Sequence, residues 1–263
     1  MARTGVLWIE TDWIGSGHAI PTAWLEGLAV AASVGLLAVL VWLVLRGLLH
    51  SARYSTDVLD EAASAAIHKA LSQAERRTVG EILPVVLGRS DAHPEGRWLA
   101  GLFVVLVGSG ALSHWLPWDR PVLLLASQAL FGALGYGLAM RLPAFHRAFV
   151  RESRATEMAE EQAFQEFYRN GLHRTEAATG VLVFVSLFER RVIVLADEGI
   201  DKVASEGLWQ QVDEMLLQNV ASGSLAAGLV EAVRMCGEAL AEHHPWATGD
   251  RNEVPDRLVV RAE

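Results

Sequence analysis

Three long stretches of this chain carry no charged side chain: Gly27–Leu45 with 19 residues, Trp98–Trp118 with 21 and Pro121–Met140 with 20. Each meets the roughly 20-residue length that a helix needs to cross a bilayer core. That constraint acts before any other. Hydrophobic residues make up 52% of the 263 and charged ones 20%, with a mean hydropathy of +0.27. Disorder is excluded, and an ordinary soluble acidic globule is the wrong expectation. The net charge of −9 is also unevenly placed. Residues 1–150 hold 11 basic and 11 acidic side chains, so the whole excess lies in 151–263. A basic nucleic-acid surface is not expected. Cys236 is the single cysteine, which rules out a disulfide framework.

The first apolar run continues to Leu45 with no small-residue cleavage signal, so it reads as a retained span. Arg46 and Arg53 follow it, whereas Glu10, Asp12 and Glu26 precede it, which places the N-terminus outside. The other two runs form a hairpin. Its tip holds Trp115, Pro117, Trp118 and Pro121, and Arg120 is its lone basic residue. Arg89, Arg97, Arg141, Arg147, Arg151 and Arg154 flank the open ends, which are therefore predicted to be cytoplasmic. No Asp, Glu, Lys or Arg interrupts a span and His114 lies near the tip, so a transporter is a poor fit. Ala23, Gly27, Ala31 and Gly35 form a small-residue stripe suited to packing against the hairpin or a second copy.

Outside the spans, Thr56–Arg77 has helical periodicity, with Thr56 as a cap and Asp57 and Asp60 nearby. Ile82–Leu87 reads as a strand, and Pro84 predicts an edge position or a bulge. Glu152–Leu172 is an amphipathic helix whose inward residues are expected to include Ala155, Met158, Ala163, Phe164, Phe167 and Tyr168. Val181–Leu187 and Val192–Ala196 flank Phe188-Glu189-Arg190 as a β-hairpin, its first strand apolar on both faces and therefore central. Helices follow near Leu208–Val220 and Leu225–Glu242, the second capped by Ser224, and then a polar, irregular tail. One strand cannot form a sheet alone, so Ile82–Leu87 should join the other two, making the membrane hairpin an insertion in one α/β domain.

Gly180-Val181-Leu182-Val183-Phe184-Val185-Ser186-Leu187-Phe188-Glu189-Arg190-Arg191-Val192, running on to Ala196-Asp197-Glu198-Gly199-Ile200, resembles the central strands of the TPM domain, specifically its bacterial membrane branch. Gly80–Val86, Gly171–Thr175 and Asn252–Arg257 are similar to that branch's first strand, pre-strand segment and tail. The resemblance implies a small mixed-sheet α/β/α sandwich, here with the transmembrane hairpin inserted after the first strand and an extra N-terminal transmembrane helix. The expected parts are an extracytoplasmic segment 1–23, a span 24–49, TPM-like portions 56–91 and 150–245 around the hairpin 97–142, and a tail 246–263. The spans and their basic flanks predict a cytoplasmic-membrane location, while the resemblance implies two kinds of relative: thylakoid-lumen members linked to photosystem II repair and assigned acid phosphatase activity, and members that bind divalent cations. Family members carry an acid in the turn before the central strand. Glu176 is its nearest equivalent, and Thr179-Gly180 stands where Asn-Gly is usual.

Glu176 precedes one strand, and Asp197, Glu198 and Asp201 follow its antiparallel neighbour, so these acids share a sheet edge. Asp91 lies past the C-terminal end of the remaining strand. Together they form the candidate metal set, suited to Ca²⁺ or Mg²⁺ and, with a metal, to activating water on a phosphate ester. The opposing reading is that they are solvated turn residues. No Walker loop, Cys-x5-Arg signature or Gly-x-Ser-x-Gly elbow is present. His243-His244 lacks zinc-helix spacing, and Cys236 falls on an apolar helix face. Glu189-Arg190-Arg191 reads as a turn, or as a docking edge for an acidic partner. Two functions stand: a membrane-anchored binding, assembly or maintenance module for membrane proteins, with the bilayer and a membrane protein or a second copy as partners, and a metal-dependent phosphatase.

Overall fold

The structure is a computed structural model that describes residues 31, 35, 37–45, 59–112, 116, 118–205, 207–248, 252–255 and 257–261. The segment 1–23, most of the span 24–49, the Thr56 cap, Asp57, His114, Trp115 and Pro117 lie outside the described residues.

Helix α1 (Glu61–Glu75) starts at Asp60, whose side chain accepts the Ala63 N–H at 2.7 Å, with Glu61 in the first turn. Its Ile67, Leu71 and Ala74 fall on one face and are buried. Strand β1 (Glu81–Leu87) follows, and every residue in it is buried. The chain then makes the apolar helices α2 (Pro94–Ala111) and α3 (Pro121–Arg141), each opened by a proline. Short α4 (Pro143–Arg147) and long α5 (Glu152–Arg169) lead back to the sheet. Strands β2 (Gly180–Ser186) and β3 (Arg191–Ala196) form the expected hairpin. The one-turn α6 (Glu198–Asp201), α7 (Leu208–Ser222), α8 (Leu225–His243) and strand β4 (Val259–Arg261) complete the described elements.

The sheet is mixed, in the order β3-β2-β1-β4. β1 pairs in parallel with β2 from Glu81↔Gly180 to Leu87↔Ser186, and β3 runs antiparallel to β2. A parallel pair needs a crossover connection, and α5 supplies it. Its Ala159, Ala163 and Phe167 pack on Leu83, Val85, Leu87, Leu182 and Phe184. The apolar hairpin is spliced into that crossover between β1 and α5. On the other face of the sheet, Val181, Val183 and Val185 meet Ile67 and Leu71 of α1, Val212 and Leu216 of α7, and Leu229 and Val233 of α8. β2 is therefore central and covered on both sides, as its uninterrupted apolar run requires.

Two expectations are corrected by the structure and a third, for Pro84, is narrowed to an edge. Phe164 and Tyr168 are exposed, at 53% and 59%. The stripe that buries is Ala155–Ala159–Ala163–Phe167, and each of the two aromatics sits one residue, about 100°, past it. The tail is not wholly irregular: Val259–Arg261 pairs in parallel with Val85–Leu87, and Arg261 is tied to the buried Glu166 of α5. Pro84 lies in a strand with neighbours on both sides, but β4 reaches only Val85–Leu87, so Glu81–Pro84 is a local edge.

Among the described residues, α3 is the helix long and apolar enough to cross a membrane. It packs on α2 at glycine contacts. A Cβ on Gly135 would stand 2.6 Å from the Ala100 carbonyl oxygen and 2.8 Å from Val104. Residues 37–45 are helical, and Leu40, Leu43 and Val44 pack on the hairpin's inner cluster of Ala100, Val104, Ala139, Leu142 and Phe145. The described members of the small-residue stripe do not make this contact: Ala31 and Gly35 are exposed.

Candidate functional site

The register of the sheet separates the acids that the sequence groups. Gly180 and Ala196 mark one edge, and Ser186 and Arg191 mark the other. Glu176, Asp197, Glu198 and Asp201 belong to the first edge. Asp91, four residues beyond Leu87, belongs to the second, about 20 Å away at roughly 3.3 Å per strand residue. The five residues do not form one cluster.

At the first edge, each acid answers to a local partner or to water. Asp197 caps α6 by accepting the Glu198 N–H at 2.8 Å, and Glu198 pairs with Lys202 at 2.7 Å. Asp201 accepts the Trp209 indole N–H at 3.1 Å. Glu176 is exposed, and its backbone N–H donates to Glu253 at 3.0 Å. A hard cation wants six or more converging oxygens. The Asp197, Glu198 and Asp201 carboxylates each face a separate partner, and among the described residues these acids do not bring their ligand atoms together, so as placed they do not fit Ca²⁺ or Mg²⁺.

The second edge is built differently. Past β1 the ladder continues, with Leu187 N–H donating to the Leu87 carbonyl at 3.0 Å and Phe188 N–H to that of Gly88 at 3.0 Å. The β2–β3 turn then drops the fully buried Glu189 beneath the segment that leads to α2. Its carboxylate accepts the Ser90 N–H at 3.0 Å, the Asp91 N–H at 3.4 Å, the His93 Nε2–H at 2.7 Å and the Ser186 hydroxyl. Burial alone would raise the Glu189 pKa. The hydrogen bonds from His93, Ser186 and Ser90 outweigh it and hold the carboxyl below the ordinary glutamate range. An ionised Glu189 can only accept, so His93 Nε2 carries the proton that faces it.

His93 stands in the left-handed region, at φ 44°, directly before Pro94 opens α2. Its carbonyl accepts the His146 Nε2–H at 2.9 Å, and both rings lie against Phe188, with centroids 5.5 and 5.0 Å away. Burial pushes His146 down to about 4; the His93 carbonyl opposes this, and Arg97 and Arg89 add to it. It is neutral at pH 7. Beside it, the buried Arg147 donates to the Val150 carbonyl at 3.1 Å, to Glu152 at 2.8 Å and to the Glu189 carbonyl at 3.4 Å. Arg191 reaches the same Glu152 at 2.9 Å. Residues from the roots of both hairpin helices, from α5 and from the β-turn thus interlock.

The sequence reading missed His93, Glu189, Ser186, His146 and Arg147 as a unit, because no short-range spacing links positions 93, 146 and 189. One local signal was available. Asp91-Ala92-His93-Pro94-Glu95 alternates three ligand-type residues, and among the described residues these form the group whose ligand atoms all lie within 4.8 Å of one another. Cys236 is an inert core thiol, raised to about 12 by burial first and then by Asp213. His244 is half-buried and donates to the Gly199 carbonyl at 3.2 Å, while His243 is exposed.

The profile of the TPM domain family matches residues 147–239, a span that takes in α5, β2, β3, α7 and most of α8. Among solved structures, the chain is similar to the NMR structure of the BA42 protein from the psychrophilic bacterium Bizionia argentinensis. The two share 18% identity with a TM-score of 0.49, over 78% of this chain and 97% of that one. No curated protein matches the chain. The profile match takes in the β2–β3 segment that carries the resemblance, and residues 147–239 are similar to a TPM domain.

Proposed function

We propose that this chain is a multi-pass protein of the cytoplasmic membrane, with its N-terminus outside and its TPM domain on the cytoplasmic side as a binding and maintenance module for membrane proteins. The observation that carries the reading is an uncovered apolar hairpin locked by buried charge onto the α/β domain. Trp98, Leu102 and Leu106 of α2 and Val122, Leu125 and Leu130 of α3 are 56–77% exposed. In water such a surface is an aggregation hazard; against lipid tails it is the ordinary outer face of a span. At its root, Glu189, His93, His146 and Arg147 tie it to the sheet, so the two halves are built to act as one body. The acids at the far edge are held by local partners, which favours binding over hydrolysis.

Two measurements test this. Native Cys236 is buried and contributes little background, so Asp119→Cys and Lys202→Cys report topology. An impermeant maleimide should label Asp119→Cys in intact cells and Lys202→Cys only after lysis; the reverse pattern overturns the orientation. A photo-crosslinking residue at the exposed Tyr168 should give discrete adducts with membrane proteins in cells. Diffuse background there, with phosphatase turnover that disappears in both Glu176→Ala and Asp197→Ala, would replace the binding reading with the enzymatic one.

A further inference from the structure

We propose that Asp91, His93 and Glu95 form a binding site for one divalent transition-metal ion of the zinc class, at the root of α2. The inference does not depend on the binding-module reading, and the site lies on the opposite edge from Glu176 and Asp197. Three observations carry it. His93 is fully buried, yet its Nδ1 has no hydrogen-bond partner. That nitrogen stands 3.5 Å from an Asp91 carboxylate oxygen and 3.5 Å from a Glu95 carboxylate oxygen. In a tetrahedral site with bonds of about 2.0–2.2 Å, neighbouring ligand atoms stand about 3.3–3.6 Å apart, which the two separations meet.

The orientation of the imidazole is the third. Glu189 accepts the Nε2–H at 2.7 Å and so turns Nδ1 toward the two carboxylates. Nδ1 and two carboxylates facing one another call for positive charge between them, a metal ion or a proton on Nδ1, and the Zn²⁺ titration below separates the two. The same carboxylate–histidine arrangement fixes tautomer and ring angle in metal sites generally. Asp91 is held in turn by the His93 N–H at 3.0 Å. One nitrogen and two oxygens suit zinc or a similar transition metal, whereas Ca²⁺ and Mg²⁺ want an all-oxygen shell of six or more ligands. The Asp91 and Glu95 side chains are 31% and 45% exposed, so water can reach the fourth position.

The test uses the full chain in detergent, stripped with EDTA and titrated with Zn²⁺, Mg²⁺ or Ca²⁺ against a chromophoric chelator. One Zn²⁺ per chain is expected, with Mg²⁺ and Ca²⁺ far weaker. The variant Asp91→Asn/Glu95→Gln changes only half-exposed side chains, and its fold is checked by its melt in EDTA. It should weaken Zn²⁺ binding about 100-fold or more, while Glu189→Gln, a positioning change, should weaken it about 10–100-fold. His243→Ala should leave binding unchanged. Equal stoichiometry and affinity in Asp91→Asn/Glu95→Gln and the parent, or loss of binding in His243→Ala, would overturn the site.

Discussion

The two edges of the sheet hold charged residues in opposite ways. At the edge of Glu176, Asp197, Glu198 and Asp201, the acids are near the surface and each meets a neighbour within eight residues or solvent. At the edge of Glu189, the carboxylate is fully buried and its partners Ser90, Asp91 and His93 are about a hundred residues away, with Ser186 the near one. Exposed pairs are screened and contribute little, whereas a buried ion must have its full set of hydrogen bonds or it unfolds its surroundings. A run of acids in sequence therefore says less about a site than one acid that the fold hides.

The sharpest way to break this comparison is Glu189→Ala. It strands His93 Nε2, Ser186 Oγ and two backbone N–H groups in one step. A loss of about 3–5 kcal/mol is expected, since removing one partner from a buried charged network leaves the others unsatisfied. Denaturant unfolding in detergent with EDTA present measures it. A loss below about 1 kcal/mol would show that water replaces the carboxylate and that this edge is no more demanding than the other.

The next largest effect lies in the hairpin that the buried edge holds. Gly135→Val places a side chain against the Ala100 carbonyl and Val104, and backbone cannot yield as a flexible side chain can. A cost of about 1–3 kcal/mol is expected from overpacking. Gly137→Val is the matched control, because a Cβ there has nothing within 4 Å. If the hairpin and sheet are one body, Gly135→Val also lowers the unfolding midpoint read by a probe in the α/β domain. A midpoint shift confined to the hairpin would separate the two halves.

What the sequence made legible follows the range of the interactions. The hairpin β2–β3, strand β1 and the limits of α5, α7 and α8 came from local periodicity and turn residues, and they were placed to within a few residues. β4 was not legible, because its three residues are held by a parallel pairing with β1 and by Glu166, about 95 positions earlier. Phe164 and Tyr168 misled because an aromatic next to a helical stripe counts as inward until the neighbouring layer is known. The Glu189 network was hidden for the same reason as β4. Its turn, Glu189-Arg190-Arg191, looks solvated, and burial came from the segment after β1 closing over it.

Asp213 tests whether partial burial has intermediate consequences. It lies on α7, with one carboxylate oxygen unpartnered, and its pKa is raised to about 7 from the ordinary 3.8. Burial is the main cause; the Val194 backbone opposes it and Glu214 adds to it, with the Cys236 thiol also facing it from α8. Because the folded pKa is raised, the folded chain holds a proton between about pH 4 and 7 that the unfolded chain has released. Stability from this group therefore rises as pH falls through that window, and the full penalty is present above pH 7. Asp213→Asn should stabilise by about 1–2 kcal/mol at pH 8, discounted from the full shift for partial exposure, and by nearly nothing at pH 4. An equal effect at both values would remove the charge from the explanation.

The smallest effect is expected at the exposed edge, and it decides whether the comparison holds. Glu198 pairs with Lys202 one helical turn on, and its pKa is lowered by the hydrogen bond and charge of that lysine. The pair is solvated, at 81% and 71% side-chain exposure, so water replaces each partner when the other is removed. Glu198→Ala should leave the unfolding midpoint where it is, at low and at high salt, when measured beside Glu189→Ala in the same buffer. A salt-sensitive drop would mean that this acid supports the fold through charge after all. In that case the division between edges would rest on the number of partners each acid has, and burial would no longer explain it.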